Sequence, residues 1–216
     1  MVALDVSSGG GYTTELLARA IGPQGTVYGQ SQPPDPSRAQ PKPAAPEGGN
    51  APPSAPQAPV PARRTSAMAL AERGQRLQSA GVASAPIVPV TQRFENPVPE
   101  AVAENRLDLV TLMFNYHDLG FMGVDRAQMN RAIFRALRPG GSYVVADHAG
   151  RAGTGISESG TLHRIEESFL RQEVEAAGFR LAAEADFLRN PNDPRDKNTP
   201  EPPQPKDDFV LKFVKP

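Results

Sequence analysis

Apolar residues along this chain fall into short blocks of two alternating kinds. Continuous runs of five to eight residues, expected of buried strands, are followed by stretches in which apolar positions recur every three or four residues, as on one face of a helix. The first run is VALDV at 2–6, and a turn of Ser7, Ser8 and three glycines closes it. Residues 14–21 then read as a helix with Thr13 as N-cap, a stripe of Leu16, Leu17, Ala20 and Ile21, and a stop at Gly22-Pro23. A second strand is expected at 25–29 and a helix at 66–78, with Met68, Ala69, Leu70 and Leu77 inward. Pro86 and Pro89 mark 87–91 as an edge strand, since proline removes a ladder donor. LDLVTLMF at 107–114 has the composition of a strand covered on both faces.

The second half repeats the alternation. Residues 125–137 form the clearest helix, with capping-box spacing between Asp125 and Gln128 and one face of Met129, Ala132, Ile133, Ala136 and Leu137. LRPGG at 137–141 turns into a strand at 142–146, a helix follows at 167–177, and strands at 179–187 and 208–214 close the chain. A polar loop at 188–207 separates these last two, and its length suggests a position over a site. The order predicts one α/β domain over 1–216: an open, mostly parallel, Rossmann-like sheet with helices on both faces and an antiparallel C-terminal strand. In such sheets ligands bind outside the carboxyl ends of the strands. The first strand opens at Met1, which predicts a fold lacking its N-terminal covering helices.

Composition changes this picture in three places. Residues 31–63 hold 11 of the 24 prolines and almost no large apolar side chain, so a disordered insertion is expected there. A net charge of −1 gives no electrostatic case for nucleic acid. With no cysteine, disulfides, thiolate metal sites and cysteine nucleophiles are excluded. No apolar run is long enough to span a membrane, and no signal peptide is visible. A soluble protein is expected, cytoplasmic by default and periplasmic if an export signal precedes Met1.

The glycine turn narrows the ligand. A dinucleotide would ask for G-x-G-x-x-G, but Thr14 stands where the third glycine belongs, and no Tyr-x-x-x-Lys pair offers short-chain dehydrogenase chemistry. A phosphate-cradling G-x-x-x-x-G-K-[ST] loop is absent. What remains is D-x-S-x-G-x-G, Asp5 to Gly11, directly after an apolar strand. It resembles the first motif of the class I S-adenosylmethionine-dependent methyltransferases, with Ser7 in place of the first glycine. LRPGG and the terminal hairpin are similar to theirs, and FNYHDL, VADHAGRAGTG, HRIE, EVEAAGF and DFLRNPNDPR resemble a bacterial family of predicted methyltransferases.

The resemblance implies S-adenosylmethionine as cofactor and a small-molecule acceptor. Asp5 would shape the turn, and Ser7, Gly9 and Gly11 would bring the backbone against the methionine half. Gln30, where an acidic residue usually grips the ribose, would hold it through its amide oxygen, and Phe94 and Glu95 would flank the adenine. Asn115, which would join these cofactor-binding residues, stands after strand four, where amino-group methyltransferases carry Asn/Asp-Pro-Pro-aromatic, here without the prolines. Two rivals are a degenerate cofactor-binding protein without turnover and an NAD(P)-dependent oxidoreductase.

The histidines cluster by position. His117 and Asp118 follow strand four, Asp147 and His148 end strand five, and His163 precedes the late helix. Three uses compete: a general base for the acceptor, a two-histidine-plus-carboxylate metal site, and plain pairing at strand ends. The first assigns catalysis to His117, Asp118 and His148, with no metal. Arg164, Arg189, Asn190, Asp193 and Arg195 are candidates for orienting or covering the substrate, although NPND at 190–193 also reads as an Asx-Pro turn.

Overall fold

The computed structural model describes residues 1–33, 64–200 and 202–216. The insertion expected from residue 31 begins later, because Ser31 closes the second strand; residues 34–63 lie outside the described residues. The elements are β1 (Val2–Val6), α1 (Tyr12–Ile21), β2 (Thr26–Ser31), α2 (Ser66–Ser79), β3 (Ile87–Thr91), β4 (Leu107–Met113), α3 (Tyr116–Phe121), α4 (Arg126–Ala136), β5 (Leu137–His148), α5 (Glu167–Glu175), β6 (Arg180–Ala185) and β7 (Asp208–Val214). They build a seven-stranded sheet in the order β3-β2-β1-β4-β5-β7-β6. All neighbours run parallel except β7, which is antiparallel to both β5 and β6.

The two faces of the sheet are packed unequally. Leu4, Val6, Val110, Leu112, Tyr143, Val145 and Phe213 point to one side, where Met129 and Ile133 of α4 and Leu170 and Val174 of α5 complete the main core. The α1–α2 side holds a smaller cluster of Ala3, Ala18, Val27, Leu77 and Ala85. Small residues let these helices sit close: a Cβ at Gly29 would lie 2.7 Å from Leu70 Cδ1. β3 takes the edge position its prolines predict.

Several local expectations are revised. α1 begins at Tyr12 rather than 14, with Gly11 at the N-cap; its buried residues are Thr14 and Ala18, while Leu16 is exposed. Met68 of α2 is exposed as well. LRPGG belongs to β5, whose pairing with β4 shifts register between Leu107 and Leu109, so the turn is accommodated inside the strand. Gly141 is required there because a Cβ would meet the Arg138 carbonyl at 2.8 Å. The α4 cap forms as its spacing predicts, Asp125 accepting from the Gln128 amide at 2.8 Å.

Candidate functional site

The turn after β1 is built by backbone conformation before any side chain acts. Ser7, Gly9 and Gly11 all have positive φ (59°, 51° and 78°), a region that L residues enter at a cost of about 1–2 kcal/mol and glycine enters freely. The Gly11 amide closes the turn on the Ser8 carbonyl at 2.7 Å. Behind it, α2 presents Arg73, whose Nε donates to the Gly10 carbonyl and which pairs with Glu15 of α1. In front, a Cβ at Gly10 would meet nothing within 4 Å, and one at Gly9 only the Ser7 carbonyl at 3.9 Å. A cradle open in front and braced behind fits the methionine half of S-adenosylmethionine.

Asp5 lies under this cradle. It is almost fully buried and accepts hydrogen bonds from the hydroxyls of Thr14 (2.6 Å) and Thr111 (2.8 Å). Burial pushes its carboxyl up from 3.8 to about 6 against the opposing effect of those hydroxyls. Thr14, which breaks the dinucleotide glycine pattern, is thus the residue that ties α1 to β1. The Asp5 carboxylate is directed at these two threonines, joining β1 to α1 and β4.

Two of the expected cofactor contacts are placed differently. Gln30 is fully buried; its Oε1 accepts from the Ser7 amide at 3.0 Å and its Nε2 donates to the Gln92 carbonyl at 2.6 Å. Both ends of its amide thus brace the turn against the segment that follows β3. Phe94 belongs to the main core, so its ring does not offer a face at the rim; Glu95 is half-buried and paired with Arg93. Just past the end of β2, Gln32 Oε1 is buried with no hydrogen-bond partner among the described residues, an acceptor that sequence reading did not single out.

From the turn, a chain of polar contacts crosses the carboxyl ends of the strands. Ser7 Oγ donates to Asn115 Oδ1 at 2.5 Å, and Asn115 Nδ2 donates to Asp118 Oδ2 at 3.0 Å. Phe114, at φ 56°, reverses the backbone after β4 so that Asn115 reaches back and α3 carries His117 and Asp118 forward. Asp118 Oδ1 then faces His117 Nε2 at 3.1 Å and His163 Nδ1 at 3.0 Å. His117 Nδ1 lies 2.6 Å from Asp147 Oδ1, while Asp147 Oδ2 accepts the His117 backbone amide at 2.8 Å. His148, next along β5, meets Asp208 of β7 through Nδ1 at 2.7 Å and stacks on Phe114 with ring centroids 5.4 Å apart.

The sequence therefore brings His117, Asp118, His148 and His163 together as expected, but with distinct roles. Burial works against charge on His117, yet hydrogen bonds to Asp118 and Asp147 outweigh it and push its pKa up to about 9. At neutral pH both ring nitrogens are engaged, Nε2 with Asp118 and Nδ1 with Asp147. Asp118 is held below the usual carboxylate range: burial would raise it, but the hydrogen bond and charge of His117 prevail. His148 keeps Nε2 without a partner among the described residues and remains in contact with solvent. Asp208 was not found from sequence because 60 residues separate it from His148; only the β5–β7 register joins them.

The described residues of the 188–207 loop are tied down by hydrogen bonds and ion pairs. Arg164 is fully buried, bonding Asp193 at 2.8 Å and the carbonyls of Ala149 and Lys197. Asn190 Oδ1 accepts from the Asn192 amide at 3.1 Å, and Arg189 and Arg195 pair with Asp207, so these residues hold the loop and the Asx turn is real.

No protein-family model matches the chain, and no curated protein matches it. Solved structures do. A methyltransferase dependent on S-adenosylmethionine from Aquifex aeolicus aligns over 100% of this chain and 82% of its own, at 16% identity and TM-score 0.57. An arsenic(III) S-adenosylmethionine methyltransferase from Chlamydomonas reinhardtii aligns over 100% of this chain and 63% of its own, at 14% identity and TM-score 0.60. The cyclase SpnF aligns over 100% and 74%, at 16% identity and TM-score 0.58. With the sheet order, the lone antiparallel strand and the glycine turn at its centre, the chain has the class I methyltransferase fold.

Proposed function

We propose that the protein binds S-adenosylmethionine and transfers its methyl group to a small-molecule acceptor, with His148 and Asp208 as the proton-accepting pair. The observation that supports this most is the cradle at the centre of the sheet: three positive-φ positions in a row of five, open in front, at the turn whose sequence resembles the first motif of the methyltransferases. Gly9, Gly10 and Gly11 would receive the methionine half, and Gln32 would receive a ribose hydroxyl. When bound, the cofactor supplies an electrophilic methyl on a positively charged sulfur.

The side chains here have complementary tasks. Asp208 accepts the Nδ1 proton of His148 and so fixes the tautomer that leaves Nε2 as an acceptor toward the acceptor's O–H or N–H. Phe114, stacked on the imidazole and half-exposed, gives the acceptor an apolar flank. His117, held between Asp118 and Asp147 and protonated at neutral pH while no ion is bound, serves position. With no cysteine in the chain, an acceptor held as a protein thiolate adduct is excluded.

A second reading is a protein that binds the cofactor without methyl transfer; a [4+2]-cyclase among the similar structures shows that the fold is not confined to proteins described as methyltransferases. Calorimetric titration with S-adenosylmethionine and its demethylated product, followed by a methyl-release assay over a panel of phenols, amines and thiols, separates the two. Binding with turnover supports the proposal; binding with none supports the second reading; no binding sinks both. His148→Ala should then lower turnover by about 10²–10⁴-fold, the range for a positioned base, with cofactor affinity unchanged. Equal loss of both would remove His148 from the reaction.

A further inference from the structure

We propose that His117, Asp118 and His163 form a binding site for one divalent transition-metal ion. One ligand atom from each of the three residues lies within 4.8 Å of the others, and Asp118 Oδ1 is 3.1 Å from His117 Nε2 and 3.0 Å from His163 Nδ1. An ion with bonds of about 2.0–2.1 Å sets its donors about 3.0–3.4 Å apart. The cluster is therefore already close to that spacing. Two imidazoles and one carboxylate on one side of an ion leave its remaining positions open, the arrangement of sites that bind a ligand rather than merely hold a fold.

What surrounds these donors points the same way. Metal-binding histidines characteristically give their second nitrogen to a carboxylate, which fixes the ring and makes the first nitrogen more basic. His117 does this through Nδ1 with Asp147, a fully buried carboxylate that also accepts the backbone amides of His117 and His148. Asp118 is oriented in turn by Asn115 on its other oxygen. His163 is placed by an unusual backbone, φ 51°, that turns its ring edge-on to His117 with centroids 5.6 Å apart. Asp147, which bonds His117, places a second carboxylate directly behind the donors. Histidine and carboxylate without thiolate suit zinc, manganese, iron(II) or cobalt(II). On binding, the ion takes the Nε2 lone pair of His117 and the proton there leaves to solvent, while Nδ1 keeps its proton toward Asp147.

The binding stands on geometry alone; its use rests on the methyl-transfer reading. An ion here, one helix turn from Asn115 and beside His148, would hold an acceptor oxygen or nitrogen in its open positions and lower that atom's pKa. The test uses the full chain stripped with a chelator and titrated with zinc, cobalt(II) and manganese(II), without S-adenosylmethionine. One ion per chain is expected for at least one of the three. X-ray absorption should show two imidazoles bound, and His163→Ala and Asp118→Asn should each weaken affinity by at least 10-fold. Asp147→Asn, which touches no ion, should weaken it by about 10–100-fold. Melting curves without metal verify that each variant is folded. Absence of binding by the parent protein, or affinity unchanged in both His163→Ala and Asp118→Asn, overturns the site. Because cofactor titration is done separately and without metal, loss of one result leaves the other intact.

Discussion

Asp5 shows how a single buried carboxyl can set the pH behaviour of a turn it never leaves. Its pKa of about 6 in the fold, against 3.8 in the open chain, means the folded protein holds the proton more tightly. The stabilisation this gives is complete below the unfolded value and is lost as pH rises through 6. Between pH 5 and pH 8 the loss through this group is about 1 kcal/mol. Urea midpoints should therefore fall across that window, and Asp5→Asn, which stays neutral, should flatten the slope. A slope unchanged in the variant would place the titration elsewhere. Gln30 offers the opposite lesson: a residue expected to hold a ligand is occupied twice over by its own backbone neighbours. Sequence could name the position but not the register that turns the amide inward. The same holds for Phe94, read as a rim aromatic and found in the core.

Elements were more legible than contacts, and for a physical reason. Helix and strand periodicity is written locally, so β1, β4, α4 and the edge position of β3 follow from residue order and proline placement alone. α3, at six residues, is too short to show a period, and it carries His117 and Asp118. Pairing across the sheet is not local at all, which hid Asp208 and the loop-holding role of Arg164. Two predictions belong to this scale. Gly11→Ala places a side chain at φ 78° and 2.7 Å from Leu70 of α2, and should cost about 2–4 kcal/mol. Gly9→Ala, with open space before it, should cost about 1 kcal/mol yet impair cofactor affinity more. Chemical denaturation and calorimetry on the two variants read both quantities, and the reverse order would mean the cradle faces α2. In the 188–207 loop, Asp193→Ala leaves the Arg164 charge buried without its carboxylate and should cost about 3–5 kcal/mol. A loss below 1 kcal/mol would show that Lys197 and Ala149 carbonyls suffice for that guanidinium.

At the scale of the molecule, one large core and one small one flank a single sheet, and the cradle opens at the carboxyl ends between them. A ligand bound there to the folded state alone raises stability by mass action. At 100 times its dissociation constant, S-adenosylmethionine should add about 2.7 kcal/mol, or roughly 5–10 °C in melting temperature for a chain of this size. A scan with no shift at saturating cofactor would contradict the proposed binding. No helix among the described residues is long and apolar enough to cross a membrane.

The 2.5 Å bond from Ser7 to Asn115 is the point at which two halves of this surface meet. On one side everything that would receive a methyl donor comes from residues 5 to 32; on the other, everything that would meet an acceptor comes from 114 onward. Such a layout lets the two drift at different rates over descent. If methyl transfer runs here as proposed, substitutions around His148 and His163 would redirect the chain to a new partner while the donor half stands unaltered, so long as a hydroxyl at position 7 still finds an amide at 115. Ser7, the apparent defect in a glycine motif, would then be the hinge on which that freedom depends.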